Sequence, residues 1–514
     1  MSVLIEPGKS HIIVKCNKVR YGATLENEAL HLRALPGFPE VAQAVVISLR
    51  DVLSVEVQTD NSELSSARWS LRRLECFSRS GVYDPARSHS LLLHMARHVS
   101  HQKWRTKKVL LEPEVPEQGE ELYKALLDVL KDFEERPKRL LFFVNPISGN
   151  GGAVRVMTKI ISPILTGCGI SYDFIVTTHQ GHAKEWIVQQ DPHLQPYDGI
   201  IAVGGDGIFN EIMEGVLLRA QVNELRPCSS LMAPAVRIGL IPAGSTDSIG
   251  FCIGLGDVVT ALINILLGRE MRLDVGTVFR ASDGQFLKFF CAFLGYGFFS
   301  DTLRNSEKQW LRRYLGKSRY VLAGAKTFLV NRAYHGSVSF KSLESVNPDG
   351  YPDEGDECYQ DCRYCKEIGA SKSHISIGPE GSTDKEEWST LDGKFTNVIA
   401  ASMSCRSEMS PRGVVPVSHC GDGCLDLLVV RSIGRCRLLH YLVSTQRGIG
   451  PQRSLGSNLH ACRAHELLFR TSESTGNSST TIWNCDGEII REPNIHVKVY
   501  CQVIRMFGSG LEPR

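Results

Sequence analysis

Asp206 stands among glycines, Gly204-Gly205-Asp206-Gly207, where an apolar run gives way to a helical pattern. Glycines in such a loop let backbone approach a phosphate, and the N-terminus of the following helix favours an anion. Phosphate alone would repel a carboxylate, so Asp206 makes chemical sense beside a hydroxyl or a metal next to that phosphate. A plain strand-to-helix turn with Asp206 as N-cap would use the same residues. Two more loops share this character. Val144-Asn145-Pro146-Ile147-Ser148-Gly149-Asn150-Gly151-Gly152 can cradle phosphate, although it lacks the Gly-Lys-Ser/Thr ending of a P-loop. In Ile241-Pro242-Ala243-Gly244-Ser245-Thr246-Asp247-Ser248, Ser245 and Thr246 offer hydroxyls and amides, and Asp247 can cap the next helix. One such loop is easily a crossover. Three on successive strands point to one crevice.

Other clusters carry separate chemistry. Cys358-x3-Cys362-x2-Cys365 has metal-like spacing but supplies three ligands, so His374, Cys405, His419, Cys420 or Cys424 must complete a zinc set. Three reduced cysteines in an insertion are the plain alternative. Arg97, His98, Lys103, Trp104, Arg105, Lys107 and Lys108 suit an anionic lipid surface or, as readily, a solvated strand pair.

These residues need elements to hold them. Ile200 to Val203 reads as a buried parallel strand, and Ile208, Phe209, Ile212, Met213, Val216 and Leu217 recur at helical spacing after it. With strands expected at Leu140–Val144, Tyr172–Val176 and Val236–Ile241, residues 138–275 read as βαβ units around a parallel sheet. Residues 1–137 read as a β-rich unit. Its strands are His11–Val14, Ala44–Ile47 and Leu53–Val57, closed by a helix lined by Leu122, Leu126, Val129, Leu130 and Phe133. Several strands followed by one amphipathic helix resemble a pleckstrin-homology-like barrel. Residues 276–514 break into short strands and turns, a mostly antiparallel second lobe. Within it, 342–394 is expected to be an insertion, largely disordered apart from its cysteines. The fold class is thus α/β plus β, with an N-terminal barrel, a doubly wound α/β nucleotide lobe and a β-rich lobe.

Bulk properties narrow the function. The chain has 514 residues, 42% hydrophobic and 22% charged, with a net charge of +2, which gives no global field for nucleic acid. No apolar run reaches the roughly 18 residues of a membrane span. Met1 to His11 lacks a hydrophobic signal core, and sixteen cysteines in such a chain read as reduced thiols in the cytoplasm. Membrane contact is expected to be peripheral.

Asn-Pro-x-x-Gly, Gly-Gly-Asp-Gly and Pro-Ala-Gly-Ser, in this order and spacing, resemble the diacylglycerol kinase catalytic superfamily, which includes sphingosine and ceramide kinases. The likeness continues through Leu294-Gly295-Tyr296-Gly297-Phe298 and Ser306-Glu307-Lys308, and returns at Trp483-Asn484-Cys485-Asp486-Gly487-Glu488. Three details resemble the ceramide kinases in particular. Pro-Ala-Gly-Ser-Thr-Asp replaces the Pro-Ala-Gly-Ser-Gly-Asn of sphingosine kinases. Ala401-Ser402-Met403-Ser404-Cys405 is followed by Ser410-Pro411-Arg412-Gly413, and the cysteines fall as CxxxCxxC.

The resemblance implies an ATP- and Mg²⁺-dependent kinase that makes ceramide 1-phosphate, with Asp206 as the general base toward the lipid hydroxyl. It implies that Gly204, Gly205 and Gly207 shape the substrate loop. Asn145, Pro146 and Ile147, then Thr177, Thr178, His179, Gln180 and Gly181, then Gly244, Ser245 and Thr246 match nucleotide loops. Glu211 matches a nucleotide-site acid, Arg313 and Arg319 match phosphate-contacting arginines, and Asp486, Gly487 and Glu488 match an acidic turn returning to nucleotide and metal. Asp301 falls near a lipid head-group position. Ser148 and Asn150 depart from the Gly and Lys of many relatives, which implies less positive charge at the phosphates. The tryptophan expected in the closing helix of a pleckstrin-like unit is missing, with Leu122 and Tyr123 in that region. The family further implies phosphoinositide lipids at the N-terminal unit, Golgi or plasma membrane association, and Ca²⁺/calmodulin at Leu427–Val443. By its residues that stretch reads as a strand plus a core-facing helix. Sphingosine or diacylglycerol as acceptor, or a catalytically silent lipid-binding relative, are the alternatives.

Overall fold

A computed structural model of the chain describes residues 12–17, 19–35, 44–58, 90–149, 151–189, 197–244, 247–308, 318–342, 357–360, 362–371, 388–407, 410–472 and 482–512. The chain divides into two compact units. One comprises Met1–Leu141, Val154–Asp173 and Asp257–Arg269; the other comprises Phe142–Ala153, Phe174–Gly256 and Glu270–Arg514.

In the first unit, seven described strands form an antiparallel sheet: β1 (Ile12–Cys16), β2 (Val19–Glu26), β3 (Ala29–Ala34), β4 (Val45–Ser48), β5 (Val52–Gln58), β6 (Ser90–Ser100) and β7 (Lys103–Pro113). Their spatial order is β4-β3-β2-β1-β7-β6-β5. Period-two alternation sets the faces: Ile12 and Val14 of β1, Leu30 and Leu32 of β3, and Leu91 and Leu93 of β6 are buried. Helix Pro116–Lys131 follows, with Pro116 at its start, where a missing N–H costs nothing. Leu122 and Leu126 lie on the sheet's core, and Phe133 joins them from beyond the helix end. Strands β2 and β7, whose burial does not alternate cleanly, escape a reading by alternation alone. The basic cluster lies on the β6–β7 hairpin, where Arg97, His98, Lys103, Lys107 and Lys108 are exposed. Two of its members are engaged within the unit. Arg105 Nη1 pairs with Asp257 Oδ1 at 3.0 Å, and the Arg269 guanidinium lies 4.0 Å over the Trp104 ring.

Fourteen described strands make the second sheet. They are β8 (Arg139–Val144), β9 (Ser171–Val176), β10 (Gly199–Gly204), β11 (Arg237–Pro242), β12 (Glu270–Arg280), β13 (Phe286–Phe290), β14 (Phe293–Gly297), β15 (Tyr334–Ser342), β16 (Ser389–Ala401), β17 (Leu425–Arg431), β18 (Leu459–Thr471), β19 (Trp483–Cys485), β20 (Glu488–Ile490) and β21 (Ile495–Phe507). The order is β20-β19-β14-β16-β15-β18-β21-β11-β10-β8-β9; β12 pairs with β13 and β21, and β17 with β16 and β18. Ile200, Ile201, Ala202 and Val203 are all fully buried, as a strand covered on both faces must be. The pairings from β12 through β20 are antiparallel, and the second lobe packs around Tyr296, Phe469 and Trp483, whose rings meet at 4.6 to 5.1 Å.

The expected insertion 342–394 needs correcting at its end, because β16 begins at Ser389 and pairs with β15. A helix, Arg363–Ser371, also follows the first two cysteines. His374 and residues 343–356 and 372–387 lie outside the described residues. Leu427–Val443 resolves into β17 and helix Arg435–Gln446, with Leu438 and Tyr441 buried. No helix among the described residues is long and apolar enough to cross a membrane.

Leu126 is fully buried. Leu126→Ala is expected to cost about 2–5 kcal/mol, and Leu126→Met less than about 1.5 kcal/mol. A thermal midpoint unmoved by the alanine would place this helix off the sheet.

Candidate active site

β10 and β11 pair in parallel, with Gly199 opposite Arg237 and Gly204 opposite Pro242, so the loops after them start side by side. Backbone hydrogen bonds bring in the neighbouring strand ends. Asn145 N–H donates to Val203 O at 3.1 Å, Thr177 N–H to Val144 O at 2.9 Å, and Ala243 N–H to Gly204 O at 2.8 Å. The three glycine loops then touch. A Cβ on Gly244 would sit 2.4 Å from Gly205 Cα, and one on Gly149 would sit 2.6 Å from Ala243 O. One on Gly204 would meet Ser148 Oγ at 3.3 Å and Asn145 Cβ at 3.4 Å. Gly207, by contrast, faces open space. The Asn145 side chain folds back to accept the Ile147 N–H at 3.1 Å, Pro146 is half-buried, and Ile147 is 81% exposed. Ser245, Thr246 and Asn150 lie outside the described residues.

Asp206 is the first residue of helix Asp206–Ala220, and Gly205 is its N-cap. Its carboxylate crosses to the next loop: Oδ2 accepts the Ser248 N–H at 2.9 Å and Oδ1 the Ile249 N–H at 3.1 Å. These amides open helix Ser248–Cys252 and have no partner within it. Asp247, the expected cap, has a left-handed φ of 47° and makes no side-chain cap; its Oδ1 accepts the Gly244 N–H at 2.9 Å instead. So the carboxylate from one loop caps the helix after another, and Asp247 tightens its own loop.

Asp486 faces the same place. Its carboxylate accepts three successive amides, Cys291 at 2.8 Å, Ala292 at 3.2 Å and Phe293 at 2.6 Å. Burial pushes its pKa up to about 6; the amides pull it down, and the nearby charge of Asp206 adds to the rise. Asn210 Nδ2 donates to Asp486 O at 3.2 Å, which ties the helix that Asp206 begins to the acidic turn. Gly487 N–H donates to Asn484 Oδ1 at 2.9 Å. Glu488 pairs at 3.1 Å with Lys288, which also meets Glu214 at 3.2 Å. Burial pulls Lys288 down, but Glu214 and Glu488 outweigh it and hold the ammonium well above its ordinary range. Sequence reasoning missed Lys288, Glu214 and Asn210. The available signal was a lone lysine inside Phe286-Leu287-Lys288-Phe289-Phe290.

The second-strand segment is fastened to the same helix. Glu211 Oε1 accepts the Gly181 N–H at 2.8 Å and Oε2 the Ala183 N–H at 3.3 Å. Burial raises its pKa against those two amides. Thr177 is buried, Thr178 Oγ1 lies 2.9 Å from His179 Nδ1, His179 Nε2 lies 3.0 Å from Glu185 Oε2, and Gln180 is exposed.

The remaining expected residues have contacts of their own. The Asp301 carboxylate is buried, with the Tyr334 hydroxyl at 2.6 Å and Arg304 Nη2 at 2.7 Å. Arg319 lies 3.6 Å from Glu307 and donates to the Tyr320 hydroxyl at 2.7 Å, while Arg313 lies outside the described residues. Cys358, Cys362 and Cys365 gather with His419, their ligand atoms all within 4.8 Å of one another.

Gly244 has no room for a methyl group. Gly244→Ala is expected to cost about 1–3 kcal/mol of stability. Urea unfolding that matches the parent would separate the second and third loops.

A family model of the diacylglycerol kinase catalytic domain matches residues 139–278, and one of the ceramide kinase C-terminal domain matches residues 354–513. The ceramide kinase of Homo sapiens is 34% identical over 430 residues, covering 76% of this chain and 77% of its own. That of Mus musculus is 29% identical over 504 residues, covering 92% and 90%. That of Arabidopsis thaliana is 31% identical over 461 residues, covering 74% of each. With so much of its length shared, the chain is an ATP-dependent lipid kinase and belongs to the ceramide kinase family.

Proposed function

We propose that the chain transfers the γ-phosphoryl group of ATP to the primary hydroxyl of ceramide, giving ceramide 1-phosphate, with Asp206 as general base. The contact of three glycine loops around Asp206 carries the reading. It is supported by the match to a ceramide kinase C-terminal domain and by the names of the relatives. Asn145, Asp206 and Asp486 are all present, which argues against a silent lipid-binding protein.

Two amides pin the Asp206 carboxylate, so its orientation is set before substrate arrives. The lipid oxygen forms a bond to phosphorus while the bond to the ADP oxygen breaks. Asp206 takes the hydroxyl proton late, because a carboxylate is a weak base toward an alcohol. Gly204, Gly205 and Gly207 let the hydroxyl approach. Asn145, Pro146, Ile147 and the 177–181 segment line the nucleoside side; Gly244, Ser245, Thr246, Arg313 and Arg319 take the phosphates. Glu211 acts by holding Gly181 and Ala183 in place. Asp301 acts on the lipid head group through Tyr334 and Arg304. Asp206 and Asp486 crowd their charges, and Glu488 stands on the same turn as Asp486, a donor set that fits Mg²⁺. When bound, that ion neutralises charge across the phosphates.

Residues 1–137 act as a pleckstrin-homology-type membrane-targeting domain, ahead of catalytic residues 138–275 and a lipid-binding lobe at 276–514. The seven-stranded sheet with one closing helix supports this. Exposed Arg97, Lys103, Lys107 and Lys108 each add about 1 kcal/mol of attraction to anionic phosphoinositide membranes such as Golgi or plasma membrane. Calmodulin at Leu427–Val443 would have to draw Leu438 and Tyr441 from the core, so it is not part of this reading. The thiols of Cys358, Cys362 and Cys365 form a zinc-type ligand set that does not include the reacting carboxylates.

Full-length protein with labelled ATP and Mg²⁺, offered ceramide, sphingosine and diacylglycerol in mixed micelles, should label ceramide at the highest kcat/KM. Preference for either other lipid would move the assignment to that acceptor. Asp206→Asn should lower kcat about 10²–10⁴-fold with ATP binding retained; turnover near the parent's removes Asp206 from its role. The Asp486 carboxyl keeps its proton to about pH 6. Because the fold binds that proton more tightly than the unfolded chain does, this group costs stability as pH rises from about 4 to about 6. Its active form is the carboxylate, so kcat/KM should climb up to about pH 6 and then level. A flat profile from acid to neutral would remove Asp486 from the reaction.

A further inference from the structure

We propose that His419 completes a closed Cys₃His zinc site with Cys358, Cys362 and Cys365, and that this metal staples the cysteine segment to the second lobe. The inference deepens the zinc-type reading of the three cysteines, and it stands apart from the choice of acceptor lipid.

Geometry carries it. Tetrahedral zinc with bonds of about 2.3 Å to sulfur and about 2.0–2.1 Å to nitrogen sets ligand edges of about 3.8 Å between sulfurs and about 3.6 Å between sulfur and nitrogen. Cys358 Sγ and Cys365 Sγ are 3.8 Å apart, and Cys362 Sγ and His419 Nε2 are 3.3 Å apart. These are two opposite edges of one tetrahedron, and every remaining edge stays within 4.8 Å. None of the three sulfurs is in a disulfide. Cys358, Cys362 and His419 are buried and Cys365 is half-buried, so four protein ligands close the site and leave no position for substrate. A closed set of this kind is structural rather than catalytic.

The segment needs such a staple. Arg363, Tyr364, Lys366 and Glu367 are exposed, so the start of helix Arg363–Ser371 has no apolar face in the core. Among the described residues its backbone is held by Leu511 N–H donating to Cys358 O at 2.8 Å, Gln360 N–H to Ser509 O at 2.7 Å and Gln502 Nε2 to Cys365 O at 3.5 Å. His419 comes from a rigid loop. Buried Asp274 accepts the Gly423 N–H at 2.6 Å and the Gln502 N–H at 2.7 Å, and its own N–H donates to Cys420 O at 2.8 Å. A metal here would join a weakly anchored stretch to that fixed loop, 57 residues on from Cys362. The staple also borders the reacting centre. Glu357, next to Cys358, pairs with Arg406 at 3.0 Å, and the Arg406 N–H donates to Cys252 Sγ at 3.2 Å. Cys252 ends the short helix whose first amides hold Asp206.

Elemental analysis of the purified full-length protein should find one zinc per chain. Chelation should lower the thermal midpoint, and added Zn²⁺ should restore it. His419→Ala and Cys362→Ser should lose the metal, while His419→Cys should keep it with four sulfur ligands and Cys420→Ser should keep it unchanged. Should the alanine and serine variants fold poorly, Co²⁺ exchanged into the parent and into His419→Cys gives the answer. Tetrahedral thiolate bands that shift on replacing the imidazole support the assignment. Parent protein without stoichiometric zinc, parent bands unaffected by His419→Cys, or metal lost from Cys420→Ser but kept by His419→Ala would each overturn it.

Discussion

The carboxylate of Asp206, held by the amides of Ser248 and Ile249, joins two loops that could otherwise move apart. Parallel pairing of β10 with β11 puts the two strand ends level. The carboxylate then spans them: its backbone opens one helix, and its oxygens cap another. Helix N-termini present unpaired N–H groups and a positive dipole end, so both helices favour the same negative group. The glycines follow from this. Loops drawn together by one short side chain leave no volume for a Cβ at Gly205 or Gly244.

Charge around that clamp is unbalanced in one direction. Asp206, Asp486, Glu211, Glu214 and Glu488 lie on facing elements, and Lys288 and Lys184 answer them through Glu214 and Glu488. The carboxylates of Asp206 and Asp486 both accept backbone amides, and the charge of Asp206 adds to the rise that burial gives the Asp486 pKa. A polyphosphate could not enter such a place alone, because its charge has the same sign. Its entry requires a cation, and hard carboxylate oxygens suit Mg²⁺. Under the proposed reaction, phosphate and metal would therefore bind this site together.

The parts of the site that could be read from sequence are those with local signatures. β8, β10 and β11 were legible because buried strands are continuous apolar runs, and each ends in small residues, whereas β9 at the sheet edge is mixed and largely exposed. The cysteine triad was legible by spacing; its partner His419 was one of five candidates, because a fourth ligand 57 residues from Cys362 leaves no local trace. Strands β2 and β7 were missed because mixed polar and apolar residues on a half-exposed sheet blur the period-two pattern. The exchange of roles between Asp206 and Asp247 was not legible at all. Both are aspartates next to helix starts, and only the approach of the two loops decides which one caps.

Long-range strand pairing explains why a reacting centre is assembled from residues so far apart in the chain. β21 lies between β18 and β11, pairing antiparallel with the former and parallel with the latter, where Ile238 meets Met506. β19 pairs with β14 and so delivers Asp486 to the amides of Cys291, Ala292 and Phe293. Asn210 then bonds across 276 residues of sequence. None of these contacts can form before the C-terminal strands have docked, and contacts of such separation bear a large loop-closure cost. The second carboxylate of the candidate site is therefore in place only once β19 has paired with β14.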